Sequence, residues 1–210
     1  MPQLPLEMSI RRERNDSDRK RALQLFRANI HDISPNAVPT RAELTEVRKL
    51  IQLKLGVQVG AHPPVFCAWN SRKKMVGAIN SHFWGMLVMG EEPANRQSVA
   101  KKVRILEQLA VAPEARRQGV ASALIAAVED FHRTEGATLW VGAVDVQDEA
   151  ALPFYEAEGF TLAGPTGRGI PNRHVELAAQ RAYEQAAAGM LNRRAAAWFF
   201  KELPPADTQS

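Results

Sequence analysis

The stretch Ile105-Leu-Glu-Gln-Leu-Ala-Val-Ala-Pro113, continued by Glu114-Ala-Arg-Arg-Gln-Gly-Val-Ala-Ser122, carries the strongest signal in the chain. Its first half is a mostly apolar run that stops at a proline and reads as a strand. Its second half is a turn leading into a helix that begins near Gln118 and continues to Thr134, with Val120, Leu124, Val128 and Phe131 on one side. The first amides of a helix have no partners within it, and its dipole is positive at that end. Small residues at Gly119 and Ala121 let a ligand approach the backbone, and Arg116 and Arg117 add positive charge. Such a turn suits an anion of pyrophosphate type. It is neither a Walker loop, because Gly-Lys-Ser/Thr is missing, nor the dinucleotide fingerprint, because Gly-x-Gly-x-x-Gly is missing.

Working outward, Met8–Arg11 reads as a first strand and 16–31 as a helix with Ala22, Leu23, Phe26 and Ile30 at helical spacing. Thr40-Arg-Ala-Glu43 is a capping box opening a second helix to Leu55. Val65–Asn70 and Met75–Trp84 form a hairpin across the polar turn Asn70-Ser-Arg-Lys73, and 85–101 has no clear pattern. Downstream of the central helix, Leu139–Val144 is a buried strand, Asp148–Glu158 a helix stopped by Gly159, and Phe160–Ala163 and His174–Leu177 the last strands. An alanine-rich helix is expected over Ala178–Lys201, with Tyr183, Ala187, Met190, Leu191 and Trp198 as its stripe, serving the domain's own packing or a homodimer contact. The order of elements predicts a mixed α/β domain with a central sheet covered by helices.

Composition limits the function. The 210 residues suffice for one ordinary domain with a core. A net charge of +4 suits an anionic ligand but is too small to argue for nucleic acid, and the basic cluster from Arg11 to Arg21 is interrupted by Glu13, Asp16 and Asp18. The lone Cys67 excludes an internal disulfide framework. With no signal-peptide pattern and no apolar run long enough to span a bilayer, the expectation is a cytoplasmic protein without a membrane partner. No metal-ligand spacing occurs.

Arg116-Arg-Gln-Gly-Val-Ala121 resembles the Gln/Arg-x-x-Gly-x-Gly/Ala signature of the GNAT-type N-acetyltransferase superfamily. Leu109-Ala-Val-Ala-Pro113 is similar to the end of its fourth strand, and Asp148-Glu-Ala-Ala-Leu-Pro-Phe-Tyr-Glu-Ala-Glu-Gly-Phe160 to its second conserved helix segment. The close resemblance covers about 103–160. It implies a GNAT-like mixed central sheet with helices on both faces, split by a V-shaped cofactor cleft between Val103–Val111 and Leu139–Val144. The C-terminal helix would be an addition, dividing the chain into an N-acetyltransferase domain (1–178) and a helical extension with a frayed tail (179–210). Acetyl-CoA would be the cosubstrate. Main-chain groups of Leu109, Ala110 and Val111 would hold its pantetheine arm, and the turn of Arg116, Arg117, Gln118, Gly119, Val120, Ala121 and Ser122 its pyrophosphate. Asp148 would lie beside the cofactor; it stands where the family usually has Asn, and an ionised carboxylate can only accept.

Transfer of an acetyl group to an amine needs a base for the ammonium, a donor for the thioester oxygen and an acid for the leaving thiolate. Strand alternation predicts Glu107 on the face of Leu109 and Val111, near the incoming amine, which makes it the candidate base, with His82 as its rival. By resemblance, Tyr155 is the acid and the Leu109 amide the oxyanion donor. Cys67, in Val-Phe-Cys-Ala-Trp, reads as a buried strand residue rather than a nucleophile. Trp69 and Trp84 either pack or line the acceptor pocket. The expected acceptor is an amine of a small molecule, with a protein amine or a hydroxyl as alternatives; a CoA-binding module without turnover is the reading from a different class. The acceptor-binding segments are expected at 29–64 and 81–96, where no acidic cluster calls for a polycation.

Overall fold

The computed structural model describes residues 8–30, 33, 37–58, 64–83, 87–88, 91–145, 148, 150–187 and 196–204. In chain order the elements are β1 (Ser9–Arg12), α1 (Asp16–Asn29), α2 (Arg41–Leu55), β2 (Val65–Trp69), β3 (Met75–Phe83), α3 (Pro93–Lys102), β4 (Val103–Val111), α4 (Val120–Thr134), β5 (Leu139–Asp145), α5 (Ala151–Ala157), β6 (Thr161–Gly164), α6 (Arg173–Ala187) and β7 (Ala196–Glu202). Local signals place most ends. Asn15 caps α1 through the Asp18 amide, Thr40 and Glu43 close the expected capping box on α2, and Pro93 opens α3 at a position that needs no amide donor.

The strands form one sheet in the order β1-β2-β3-β4-β5-β7-β6, antiparallel throughout except for the β4–β5 pair. On one face α4 lays Val120, Leu124, Ile125 and Val128 against Phe66, Val76, Ile79, Leu106, Trp140 and Phe199. On the other, α1 packs Ala22 and Phe26 on β2 and β3, while α6 packs Val175 and Ala179 on Val141, Trp198 and Phe200. Helices thus cover both faces of a mixed sheet, as the sequence predicts.

A buried polar knot ties the paired halves of the inner strands. Ser81 donates to the Ile105 carbonyl (2.8 Å) and accepts from Trp140 Nε1 (2.9 Å), while His132 Nε2 lies 2.7 Å from the same hydroxyl. The single hydroxyl proton is committed to Ile105, so Nε2 carries the imidazole proton. Burial, reinforced by the charges of Arg104 and His82, holds His132 well below the ordinary histidine pKa, and the ring stays neutral.

The C-terminal reading needs correction. His174–Leu177 belongs to α6, whose start is capped by Asn172 Oδ1 accepting from the His174 and Val175 amides (both 3.1 Å). The expected helix does not run to Lys201: Trp198 lies on β7, which is inserted between β5 and β6. The boundary drawn between residues 178 and 179 falls inside α6. Of the expected stripe, Ala187 side-chain packing, Met190 and Leu191 lie outside the described residues.

Candidate active site

The parallel pair β4–β5 is hydrogen-bonded only from Val103↔Leu139 to Leu106↔Gly142. Beyond that point β4 runs on to Val111 paired with β3 alone, and β5 runs on to Asp145 paired with β7 alone. The strands separate, leaving the β5-facing edge of Glu107–Val111 without a neighbouring strand. This is the V-shaped cleft expected from the sequence.

The separation starts at a β-bulge. Asn80 pairs with Gln108 and Ser81 with Leu106, so Glu107 is the extra residue on β4. A bulge adds local twist and breaks alternation. Leu106, Leu109 and Val111 all pack towards the α4 core, with Glu107 outside that count. The prediction that Glu107 shares the face of Leu109 is therefore corrected. Its carboxylate instead meets His82, with Nε2 3.7 Å from Oε1, on the strand pair that also carries Asn80 and Gln108. His82 Nδ1 lies 2.7 Å from the Phe83 carbonyl, which can only accept, so Nδ1 carries a proton, and in its neutral form the ring presents a bare Nε2 to Glu107. Gln108 Nε2 donates to the other carboxylate oxygen, Oε2 (3.4 Å). Gln108 Oε1 accepts from Asn80 Nδ2 (2.8 Å), which also reaches the Ala37 main-chain carbonyl (3.2 Å). Two buried amides thus steer the half-exposed Glu107 and leave Oε1 facing His82. The two rival bases named from the sequence are neighbours.

Tyr155 sits on α5, buried, with its ring stacked on Phe199 (centroids 4.0 Å apart, planes at 18°). Phe199 in turn fits over Gly142, where a Cβ would stand 2.4 Å from the ring. Gly142 is the last residue of β5 paired with β4, so this bracket holds Tyr155 at the level where the strands part. Burial, with the charge of Asp148, raises the phenol above the ordinary tyrosine pKa and keeps it protonated at neutral pH. Asp148 itself is exposed.

After β4 comes a short 3-10 turn, Pro113–Ala115, and α4 starts only at Val120, later than the sequence suggested. Between them Arg117 (φ 60°) and Gly119 (φ 75°) are both left-handed. Gly119 is the N-cap and offers no side-chain acceptor, so the leading α4 amides lack the usual capping partner. A non-glycine residue in this conformation costs about 1 kcal/mol or more, as expected where backbone shape serves a ligand. Arg116 is tied down, donating from Nε to the Val111 carbonyl (3.1 Å) and from Nη2 to Asn29 (3.0 Å), and Gln118 is held by the Glu114 carbonyl (3.0 Å). Arg117 is exposed, Val120 is buried in the core, and Ser122 hydrogen-bonds Glu158. Gly77 lets the turn come close: a Cβ there would stand 2.8 Å from Val120 and 3.0 Å from Leu124.

Comparison with known proteins decides the family of this split-sheet fold. The acetyltransferase (GNAT) family model covers residues 30–160. The chain belongs to the GNAT acetyltransferase family. Acetyl-CoA is the acetyl donor for this GNAT protein, and the fold recurs in solved relatives. YncA from Salmonella typhimurium, solved with acetyl-CoA, is 14% identical over 97% of this chain and 98% of its own (TM-score 0.58). The ribosomal-protein-S18-alanine N-acetyltransferase from Escherichia coli is 17% identical over 97% and 98% (TM-score 0.55). Ard1 from Thermoplasma volcanium is 13% identical over 95% and 99% (TM-score 0.57). No curated protein sequence matches at a comparable level.

The residues present fit acetyl-CoA: an open strand edge at Leu109 and Val111, a turn whose helix amides have no side-chain cap, and an exposed Arg117 within that turn. Ala110 is buried on the opposite face, so it can contribute only main-chain groups. Cys67 is buried on β2 and burial pushes its thiol up to about 12, which fits the sequence reading of a packing residue. Trp69 packs in the α1 cluster with Arg11 over its ring at 4.3 Å, whereas Trp84 lies outside the described residues. Gln108, Asn80, Gly142 and Phe199 were not singled out from the sequence. Their roles depend on strand register, which a single chain does not display. Among the described residues no His/Cys/Asp/Glu cluster could hold a metal ion, and no helix is long and apolar enough to cross a membrane.

Proposed function

We propose that this GNAT protein acetylates the amine of a small molecule by direct attack, with Glu107 and His82 receiving the amine and Tyr155 protonating the leaving sulfur. The observation that carries the reading is the coincidence of three features at one level of the sheet: the end of β4–β5 pairing, the bulge at Glu107, and the Tyr155–Phe199 stack. Acetyl-CoA supplies an activated thioester when bound. Everything else falls to the chain.

Glu107 Oε1 and His82 Nε2 are both acceptors across a 3.7 Å gap. Two acceptors so placed suit an ammonium, which offers an N–H to each, and they suit the proton it must lose. Gln108 fixes which carboxylate oxygen faces the gap. The Leu109 amide, next along the open edge, is the proposed oxyanion donor. Tyr155, kept protonated by burial, has a proton to give. Leu109, Val111 and the amides of 117–122 anchor the cofactor, with Asp148 near the acid. The buried lone Cys67 supports a reducing, cytoplasmic setting.

The test is calorimetric titration with acetyl-CoA of the wild type and of Gly119→Glu, which puts an anion into the turn, followed by an amine panel read by free-thiol release. Micromolar binding lost in the variant, with turnover on at least one amine, is the expected result. Equal binding by both proteins removes the turn from the cofactor site. Binding without turnover on any amine favours a CoA-binding module.

A further inference from the structure

The outer face of α2, opposite the side that packs Ile51 and Leu55 beside Phe83, carries side chains that the proposed chemistry does not use. Leu44 is the buried residue of this helix, while Val47, Leu50 and Leu53 are 46%, 51% and 81% exposed. At about 100° per residue these three lie within roughly 60° of one another's centre line, forming a continuous apolar stripe. Ala42, Thr45, Val47 and Leu50 line a shallow hollow along it. Three large apolar side chains exposed in a row on one helix are more than scattered surface residues and mark a contact surface.

The charges along the stripe say what fits it. Glu43, its carboxylate closing the Thr40 capping box, and Glu46, paired with Lys49 across 2.8 Å on the exposed surface, lie at its N-terminal end, and Lys54 lies at its C-terminal end. A second copy of α2 laid antiparallel about a two-fold through Leu50 places Leu50 against Leu50 and Val47 at the level of Leu53. The same rotation brings Lys54 to the level of Glu46, with Glu43 one turn beyond. Each contact then occurs twice, as a two-fold interface requires. A parallel pairing would oppose like charges, and an anionic membrane surface would meet the acidic end. We infer that α2 forms an antiparallel, two-fold homodimer contact centred on Leu50. A helix pair of this length lies at the small end of specific interfaces, which calls for a test across a wide concentration range.

Sedimentation velocity of the full chain from about 1 to 100 µM tests the inference. The expected result is a monomer–dimer equilibrium that Leu50→Glu abolishes, with the circular dichroism spectrum unchanged because Leu50 is half exposed. Glu46→Lys and Lys54→Glu should each weaken the dimer by about tenfold, since each puts two like-charge contacts into the interface. The double variant Glu46→Lys/Lys54→Glu should restore it. A wild type that stays monomeric at the highest concentration overturns the inference. So does a Leu50→Glu dimer, or a charge swap that fails to restore association.

Discussion

Replacing Gly142 by Ala adds one methyl group at the point where β4 and β5 part. The new Cβ would stand 2.4 and 2.5 Å from Phe199 Cζ and Cε2, about 1 Å inside ordinary contact. Phe199 is 1% exposed and wedged among Tyr155, Phe160 and Trp140, so the ring has to push its neighbours. Overpacking of this kind costs about 1–3 kcal/mol. At about 2–4 °C per kcal/mol for a chain of this size, the thermal midpoint should fall by about 2–12 °C. Tyr155 rides on Phe199 at 4.0 Å and should be displaced with it. A misplacement near 1 Å at a reacting group is worth up to about 100-fold, so kcat should drop by about 10–100-fold. Acetyl-CoA affinity should hardly change, because the proposed pyrophosphate contacts lie in the turn before α4. Differential scanning fluorimetry, calorimetry and a thiol-release assay measure the three quantities. Gly142→Ala combined with Phe199→Leu, which makes room for the methyl group, should recover part of the lost stability. A variant that loses stability but keeps the wild-type kcat would refute the claim that the Gly142–Phe199 bracket positions Tyr155 for chemistry.

Tyr155→Phe should leave acetyl-CoA binding intact and lower kcat by about 100-fold or more, with part of the loss recovered when the leaving thiol is more acidic; an unchanged kcat removes Tyr155 as the acid. Glu107→Gln and His82→Ala should each cut kcat/KM by about 100-fold or more while leaving acetyl-CoA binding intact; wild-type kcat/KM in both variants would dissolve the proposed pair. His132 is held neutral in the folded protein, whereas an unfolded histidine takes up its proton near pH 6.5. Its contribution to stability is therefore full above about pH 6.5 and is lost as pH falls below it, by up to about 1.4 kcal/mol per pH unit. Thermal midpoints of wild type and His132→Gln between pH 7.5 and 5.5 should show a flatter slope for the variant, and parallel slopes would refute the assignment.

The turn before α4 was legible in the sequence because its logic is local. Gly119, the flanking arginines and the amphipathic run from Val120 to Phe131 all lie within a few turns of chain, and the structure places them together. The acceptor side depends on register. Nothing in Ile105–Val111 announces that Glu107 is skipped in pairing, since the bulge exists only relative to β3. His174-Val-Glu-Leu177 alternates like a strand, but Pro171-Asn172 ahead of it is a helix-start signal, and the Asn172 cap prevails. Trp198-Phe-Phe200 is an aromatic run of the kind enriched in strands. The alanines before it extended the helical pattern across a change of structure. On β7 the three rings alternate faces, Trp198 and Phe200 towards α6 and Phe199 towards α4.

The position of β7 has a consequence for how the protein is made. Of the strands in this sheet, the one beside β5 on the side away from β4 comes last in chain order, yet it lies inside the sheet, hydrogen-bonded on both sides. A nascent chain can assemble β1 to β4 with α1, α2 and α4 early, because those contacts are nearer in sequence. β5 and β6 must wait with an open slot between them until Ala196–Glu202 arrives. Until then Phe199 is absent and Tyr155 has no ring to stack on. The bracket around Tyr155 therefore closes only after every other strand of the sheet has been made, and any chain released short of about Phe200 would carry the turn before α4 without it.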